Sequence, residues 1–404
     1  MADEAFDVIV VGGGPSGSTA TAFLGKAGHK VLLLDKARFP RDKTCGDAIS
    51  GKSLAVLREL GLIGAVEALP HSKIYGVTFS SPEGYVVEIP FRKEENVGYC
   101  VRRLVYDDML FQNAKKFATA IEEFTVTDVI RENNFVVGVK GVGKDGKEQA
   151  FRSKVVVGAD GASSVVANKL GVDTIDDAHS CVAVRAYYKG VTRMTKNIEL
   201  HFCNSIIPGY FWIFPLDNGL ANVGVGVLNR DLKKRHLNLK EWMFNEIKTN
   251  PLFKERFANA ELASEVKAWR LPFGSKRRKN YGNGFLLVGD AAALIDPFTG
   301  EGMGNGTTSG RLAAKAIHAA LEANDFSEKT LSAYEKSIHE ELDRELLQSY
   351  RMQRLGGIKL LLNLIIRRAY KNQHARDLIA STLANETARK EFTSPLLYLK
   401  ILFS

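Results

Sequence analysis

Three glycines announce the first chemistry this chain can do. Gly12, Gly14 and Gly17 form a G-x-G-x-x-G turn that follows directly on the apolar run Phe6 to Val11 and opens a helical stretch, Ser18 to Gly28. In that context the first glycine permits a tight turn, the second lets backbone approach a pyrophosphate, and the third lets helix pack on strand. Ser16 lies inside the turn, where the start of the helix adds N–H groups and partial positive charge for an anion. Asp35 closes the next strand, Val31 to Leu34, with Lys36 beside it. A carboxylate at that position accepts from ribose hydroxyls and repels a 2′-phosphate. The pattern is that of a dinucleotide site, and alone it does not choose between FAD and NAD.

These residues need a scaffold. From Phe6 the order strand, glycine turn, helix, strand is a βαβ opening. Lys73 to Ser80 and Tyr85 to Phe91 read as strands joined through Ser81-Pro82-Glu83-Gly84, a hairpin set between pieces of the nucleotide domain. Strand-like runs at Cys181 to Lys189, Ile198 to Cys203, Tyr210 to Pro215 and Ala221 to Leu228 join it in one antiparallel sheet. The chain then returns to a buried strand, Gly284 to Val288, and a helix from about Asn305 to Leu321. After Asn324 it is helical to the end. The expected fold is α/β. A discontinuous Rossmann-like nucleotide domain (1–70, 100–178 and 271–325) carries an inserted antiparallel substrate sheet (71–99 and 179–270), and a helical region (326–404) follows.

Three further segments carry a resemblance. Val157-Gly158-Ala159-Asp160-Gly161 with Ser164 resembles the G-A-D-G-x-x-S element of flavoprotein hydroxylases and their relatives, the p-hydroxybenzoate hydroxylase-like superfamily. Gly289-Asp290-Ala291-Ala292, followed by Pro297-Phe298-Thr299-Gly300-Glu301-Gly302 and Met303, is similar to the second flavin motif of that group. Val101-Arg102-Arg103 with Tyr106-Asp107 and Leu110 is similar to its arginine-containing segment. The resemblance implies bound FAD. Asp160, Gly161, Asp290, Pro297 and Met303 would lie about it, with Asp290 on the ribityl chain and the Gly300 to Gly304 backbone facing the isoalloxazine ring. Arg103 rather than Arg102 would touch the flavin. Backbone N–H groups at a helix start stabilise negative charge on a reduced flavin.

Within that superfamily the chain resembles the geranylgeranyl reductases and archaeal digeranylgeranylglycerophospholipid reductases. Two stretches carry this: Pro40-Arg41-Asp42-Lys43-Thr44-Cys45-Gly46-Asp47, and Pro208-Gly209-Tyr210-Phe211-Trp212-Ile213-Phe214-Pro215 with Ala221-Asn222-Val223-Gly224-Val225-Gly226. The resemblance covers Phe6 to Tyr334. It implies that Cys45 and Gly46 sit beside the flavin and that Tyr210, Trp212 and Phe214, which share one strand face, line a tunnel for an isoprenoid lipid. Reducing an isolated alkene needs a proton donor near the ring. A cysteine thiol, with an ordinary pKa of about 8.5, is largely protonated at pH 7. Cys45 is the candidate donor, with water as the alternative, and simple burial as a small apolar residue is the competing role. The aromatic face likewise suits plain core packing. Competing activities are an FAD-dependent aromatic monooxygenase and a non-catalytic flavin electron relay; the W-x-W-x-I-P motif expected of a halogenase is absent. The flavin's reductant, NAD(P)H, ferredoxin or a quinol, is open. Oligomeric state is open too.

Composition narrows the setting. The chain has 404 residues, 45% hydrophobic and 25% charged, enough for two or three domains. Cys45, Cys100, Cys181 and Cys203 are widely spaced without a C-x-x-C pair, so neither a disulfide framework nor a metal site is expected, and a cytoplasmic setting fits. A strand pattern starting at Phe6 leaves no room for a secretory signal, and no apolar run approaches the roughly 20 residues of a spanning helix. The formal charge of +9 is compatible with nucleic acid, an anionic membrane or phosphorylated ligands. The basic run Ser275-Lys276-Arg277-Arg278-Lys279 lacks aromatic interleaving, so a solvated loop is expected there and no nucleic acid. Ile358 to Tyr370 mixes leucines and isoleucines with Lys359, Arg367 and Arg368. It can lie at the inner face of a membrane or pack on the catalytic domain, and the apolar stretch Leu396 to Phe403 shares that choice.

Overall fold

The computed structural model describes residues 5–91, 97–173 and 176–384. One sheet is built on parallel strands in the order Phe285–Leu287, Glu148–Gly158, Phe6–Val11, Val31–Leu34 and Thr119–Ile121. Strands covered on both faces are unbroken apolar runs, and all four residues of Val31–Leu34 are buried. Thr125–Glu132 and Phe135–Val142 extend the long strand Glu148–Gly158 as an antiparallel ribbon. The helix Pro15–Lys26 starts directly behind the glycine turn with proline at its first position, where no N–H is needed. It crosses the helix Met303–Glu322 at Gly310, where a Cβ would stand 2.3 Å from the Ser16 carbonyl oxygen, so the two backbones nearly touch.

The second sheet runs Glu261–Leu262, Ser180–Lys189, Leu220–Leu228, Tyr210–Pro215, Asn197–His201, Gly76–Ser80, Val86–Pro90, with Lys267–Pro272 also paired to Ser180–Lys189. It has its own core of Phe211, Ile213, Val223, Val225, Met243 and Phe253. The sheet is antiparallel except at one place: Asn197–His201 runs parallel to Gly76–Ser80, with Asn197 against Gly76. The hairpin reaches this edge from elsewhere in the chain rather than by a turn from its neighbour, so nothing obliges it to run the opposite way.

The run expected as a single strand from Lys73 to Ser80 divides. Ser72–Ile74 joins Gly98–Cys100 and Ala48–Ile49 in a small third sheet, while Gly76–Ser80 enters the second. The division falls at Tyr75-Gly76. A Cβ on Gly76 would lie 2.7 Å from the Ile89 carbonyl oxygen, so only glycine lets the chain cross there. The third sheet matters for the site, because it anchors Ala48 immediately after the segment that carries Cys45.

The C-terminal region is helical over Glu328–Ile338, Arg344–Gly356, Lys359–Lys371 and Gln373–Ala384. Ile366, Ala369 and Ala375 from the last two helices cover Val87, Ile89 and Phe202, whereas Ile358, Leu360, Leu364 and Tyr370 stay exposed. The stretch Leu396 to Phe403 lies outside the described residues. Among those described, no helix is long and apolar enough to cross a membrane.

Candidate active site

The glycine turn faces a cavity of about 540 Å³ that runs between the first two sheets. Its geometry accounts for the glycines. Gly12 has φ +106°, and a Cβ there would meet the Ala159 carbonyl oxygen at 2.4 Å; a Cβ on Gly17 would fall 1.8 Å from the Gly12 oxygen. Gly14 opens on the cavity, with Arg41 3.6 Å from where its Cβ would be. Asp35 accepts from Gly13 N at 2.7 Å and Ala37 N at 2.8 Å, so it braces the turn as well as facing the cavity. Bare backbone beside a guanidinium at a helix start, with a carboxylate at the end of the next strand, fits the pyrophosphate and ribose of a dinucleotide. The same cavity is lined by Cys45, Gly46, Asp290, Gly300, Gly302, Met303 and Trp212. Gly300 takes φ +71°, a left-handed bend that turns this backbone toward the cavity.

The Cys45 segment is gripped from several sides. Asn222 Nδ2 donates to the Cys45 carbonyl oxygen at 2.7 Å and to Asp47 Oδ2 at 2.8 Å, while its Oδ1 accepts from Trp212 Nε1 at 2.8 Å. Tyr187 Oη donates to Asp47 Oδ2 at 2.9 Å, and Arg103 N donates to Asp47 Oδ1 at 3.2 Å. Asp47 has φ +65° and is wholly buried; burial lifts its carboxyl to about 6, against the pull of Arg185 and its hydrogen-bond donors. Phe214 packs 3.0 Å from where a Gly46 Cβ would be, which explains the glycine beside Cys45.

Charged side chains line both walls. Asp107, fully buried, takes Arg103 Nε at 2.5 Å, Arg103 Nη2 at 2.7 Å and Arg41 Nη1 at 2.6 Å. Burial would raise this carboxyl, but the two guanidiniums overcome it and hold it below the usual range. Arg103 also faces the Cys45 sulfur. The next residue after Arg41, Asp42, turns the other way, to Arg185 Nη2 at 3.0 Å on the second sheet. Lys43 lies 3.6 Å from the centre of the Trp269 ring, and burial lowers its ammonium to about 8 although Asp290 opposes this.

Of the residues singled out from sequence, Gly12, Gly14, Ser16, Asp35, Lys36, Cys45, Gly46, Arg103, Asp160, Gly161, Asp290, Gly300, Gly302, Met303 and Trp212 line this one cavity. Gly17 lies beneath the turn. Pro297, Tyr210 and Phe214 stand off the lining: the Pro297 carbonyl is taken by Gln353, and Tyr210 Oη donates to the Thr299 carbonyl, bracing the loop from behind. The Asp160 carboxylate is occupied in capping, accepting Val165 N at 2.7 Å and Val166 N at 3.2 Å. The Gly304 amide donates to Glu301 Oε1, so the backbone free to face the cavity ends before Gly304. Arg102 forms a two-pronged pair with Asp217, 3.0 and 2.9 Å, away from the cavity. Sequence reasoning passed over Arg41, Asp42, Lys43, Asp47, Asn222, Tyr187, Arg185 and Trp269. Five of these sit inside the two segments that carried the resemblance, and Arg185 could have been noticed as a lone charge in the middle of an apolar strand.

Comparison with known proteins agrees with this geometry. A family described as FAD binding domain matches residues 5–344. The chain is 33% identical to a menaquinone reductase of Mycobacterium tuberculosis over 78% of its own length and 77% of the other's. It is 31% identical to a digeranylgeranylglycerophospholipid reductase of Methanosarcina acetivorans, covering 98% of this chain and 91% of that one. Among solved structures, a geranylgeranyl bacteriochlorophyll reductase-like protein of Thermoplasma acidophilum superposes with a TM-score of 0.84 at 26% identity, over 96% of this chain and 98% of that one. The flavin-dependent brominase Bmp2, at 24% identity and a TM-score of 0.72 over 98% and 93% of the two chains, shares the fold.

Proposed function

This chain belongs to the FAD binding domain family, in the branch that holds the digeranylgeranylglycerophospholipid reductases, and from that premise we propose that it is an FAD-dependent reductase saturating carbon–carbon double bonds of isoprenoid chains. The observation that carries this reading is the placement of Cys45 in one cavity with Asp290, Gly300, Gly302, Met303, Trp212 and the dinucleotide turn. Gly12, Gly14, Ser16, Gly17, Arg41, Asp35 and Lys36 would hold the pyrophosphate and ribose; Asp290, Arg103 and the Gly300 to Met303 backbone would hold the ribityl chain and ring. On this reading segments 1–70, 100–178 and 271–325 belong to the FAD-binding domain and 71–99 and 179–270 to the substrate domain, with the helices Glu328–Ile338 to Gln373–Ala384 following.

FAD bound there would, once reduced, supply hydride-transfer chemistry toward one carbon of the alkene. An isolated alkene has no carbonyl to absorb the resulting charge, so a proton must reach the other carbon at nearly the same moment. Cys45 holds that proton on Sγ. Arg103, facing the sulfur, stabilises the thiolate left when the proton goes, and a proton from water restores the thiol. Trp212 provides an apolar face for the chain being reduced, which leaves water little room beside the reacting carbons. The two electrons come from an external donor, NAD(P)H, ferredoxin or a quinol. The protein works in the cytoplasm and touches the inner membrane face, where such lipids reside.

The test is anaerobic. The flavoprotein is reduced with dithionite and mixed separately with geranylgeranyl lipids and with a menaquinone carrying a polyprenyl tail, and flavin reoxidation and product mass are followed. Mass gains of two hydrogens per bond that survive exposure to air place the reaction on the isoprenoid chain. Gains that air reverses would place it on a quinone ring instead. Unchanged lipids, with product formed only from aromatic compounds after oxygen is admitted, would replace this reading by a monooxygenase.

A further inference from the structure

We propose that Asp47 is the positioning residue for Cys45: its buried carboxylate, bound by Tyr187 and Asn222 from two strands of the second sheet, fixes the bend that presents the Cys45 sulfur to the cavity.

The bend is conformationally costly and chemically costly at once. Asp47 is left-handed, where a glycine would be at ease, and it carries an ionisable group to a place with no solvent. Two such costs persist at one residue only when the surroundings over-determine it. Here they do. The Asp47 carbonyl accepts from Val101 N at 2.9 Å, its Oδ1 from Arg103 N, and its Oδ2 from both Tyr187 and Asn222.

The need for a carboxylate, rather than any small left-handed residue, follows from Asn222. An ionised carboxylate only accepts. It therefore turns the amide of Asn222 so that Nδ2 faces Asp47, and the same Nδ2 then reaches the Cys45 carbonyl at 2.7 Å while Oδ1 is left for the Trp212 indole. Reversing that amide would break three contacts together. The charge on Asp47 thus sets the distance between the thiol segment and the aromatic strand that faces it.

The groups around Asp47 come from every neighbouring element: Arg185 and Tyr187 from Ser180–Lys189, Asn222 from Leu220–Leu228, Arg103 from the helix Arg103–Lys115, Cys100 from Gly98–Cys100, and Cys45 from its own segment. Among these Arg185 supplies the largest charge acting to keep Asp47 ionised. Its carboxyl titrates at about 6, so from pH 7 downward it gains a proton that one of the two Oδ2 donors must make room for, and the grip on Cys45 loosens.

The experiment is alkylation of Cys45 by iodoacetamide in the full-length FAD-loaded protein, scored by peptide mass against pH; Cys100, Cys181 and Cys203 are buried and serve as internal controls. In the wild type the rate should depart from a simple thiol titration, with a second inflection at about pH 6. Asp47→Asn, which tolerates the left-handed bend, should change the rate at pH 8 at least about tenfold, abolish the inflection and leave flavin content unchanged. Asn222→Ala should do the same, and the double variant should be no worse than either alone. Should Asp47→Asn fold poorly, Tyr187→Phe removes one donor to the ionised form and should move the inflection upward. Wild-type rates and inflection in Asp47→Asn, or an unmoved inflection in Tyr187→Phe, overturn the proposal. The inference rests on Cys45 as proton donor, but alkylation is read without turnover. A protein that alkylates as expected and saturates no alkene would sink the proposed reaction and leave the positioning role standing.

Discussion

The strongest test of how this cavity is held together is Asp107→Asn. Asp107 has no solvent exposure and takes three charged contacts, 2.5, 2.6 and 2.7 Å, from Arg103 and Arg41. The substitution keeps the shape and removes the charge, leaving two guanidiniums facing a neutral amide that can accept at only one atom. Breaking a buried pair in this way costs about 3–5 kcal/mol, because the remaining charge stays desolvated without compensation. With an unfolding entropy near 2.1 cal/mol/K per residue, that corresponds to about 4–6 °C in Tm for a chain of this length. Differential scanning fluorimetry of the flavin-loaded protein measures it, and released flavin fluorescence reports whether Arg103 has also left the cavity. The matched control is Glu255→Gln. Its pair with Arg193 is as short, 2.7 Å, but both side chains are about 70% exposed (70% and 72%), so it should change Tm by less than about 1 °C. The sign with pH is fixed as well: the Asp107 carboxyl lies below its ordinary value, so its contribution is present above about pH 4 and is lost as pH falls through the folded value. An Asp107→Asn protein that melts with the wild type, or a Glu255→Gln protein that melts as early as Asp107→Asn, would refute the reasoning.

Other expectations are more direct. Cys45→Ala should retain flavin and its visible spectrum yet slow single-turnover reoxidation by lipid about 10²–10⁴-fold, the usual worth of a positioned acid; a loss below about threefold would return the proton to water. Gly12→Ala forces a side chain to φ +106° and 2.4 Å from the Ala159 oxygen, so it should purify with little flavin, read as the ratio of 450 to 280 nm absorbance. His201 is buried between Ser80 and Glu199, and burial holds its ring below the ordinary value. The unfolded chain therefore takes up a proton at about pH 6.5 that the folded chain resists, stability falls as pH drops through that value, and His201→Gln should flatten the difference between melting at pH 7.5 and pH 5.5. Leu360 is 77% exposed beside Lys359 on an amphipathic helix; Leu360→Glu should reduce co-sedimentation with anionic vesicles and leave turnover of detergent-dispersed lipid unchanged.

What could be read from sequence was what the backbone dictates locally. The glycine turn is legible because its first glycine alone satisfies the conformation and because it follows an apolar strand run, Asp35 because it ends the next such run, and the Gly300 bend through the motif that contains it. The alternation Tyr210, Trp212, Phe214 was legible as one face, but not that only Trp212 reaches the cavity while Phe214 packs against Gly46 and Tyr210 braces Thr299. Asp47 was legible as part of the Cys45 segment but not as the residue that holds it, since its partners, Tyr187 and Asn222, lie far along the chain. The parallel pair and the crossing at Tyr75 were hidden for the same reason. A strand's pattern tells which face is buried and says nothing of which neighbour it will choose or in which direction.

The parallel pairing of Gly76–Ser80 with Asn197–His201 has a consequence for how the molecule comes into being. As the chain leaves the ribosome, the hairpin of Gly76–Ser80 and Val86–Pro90 is made early, yet its inner edge has no partner until Asn197–His201 has also emerged. The nucleotide sheet waits longer still, for Phe285–Leu287 to complete it. Two interleaved sheets, each closed by a late strand, make slow non-local steps during which apolar edges stand open. Nascent chains truncated between these points should be the ones that chaperones hold, and early flavin supply should help only chains that already extend past Gly302.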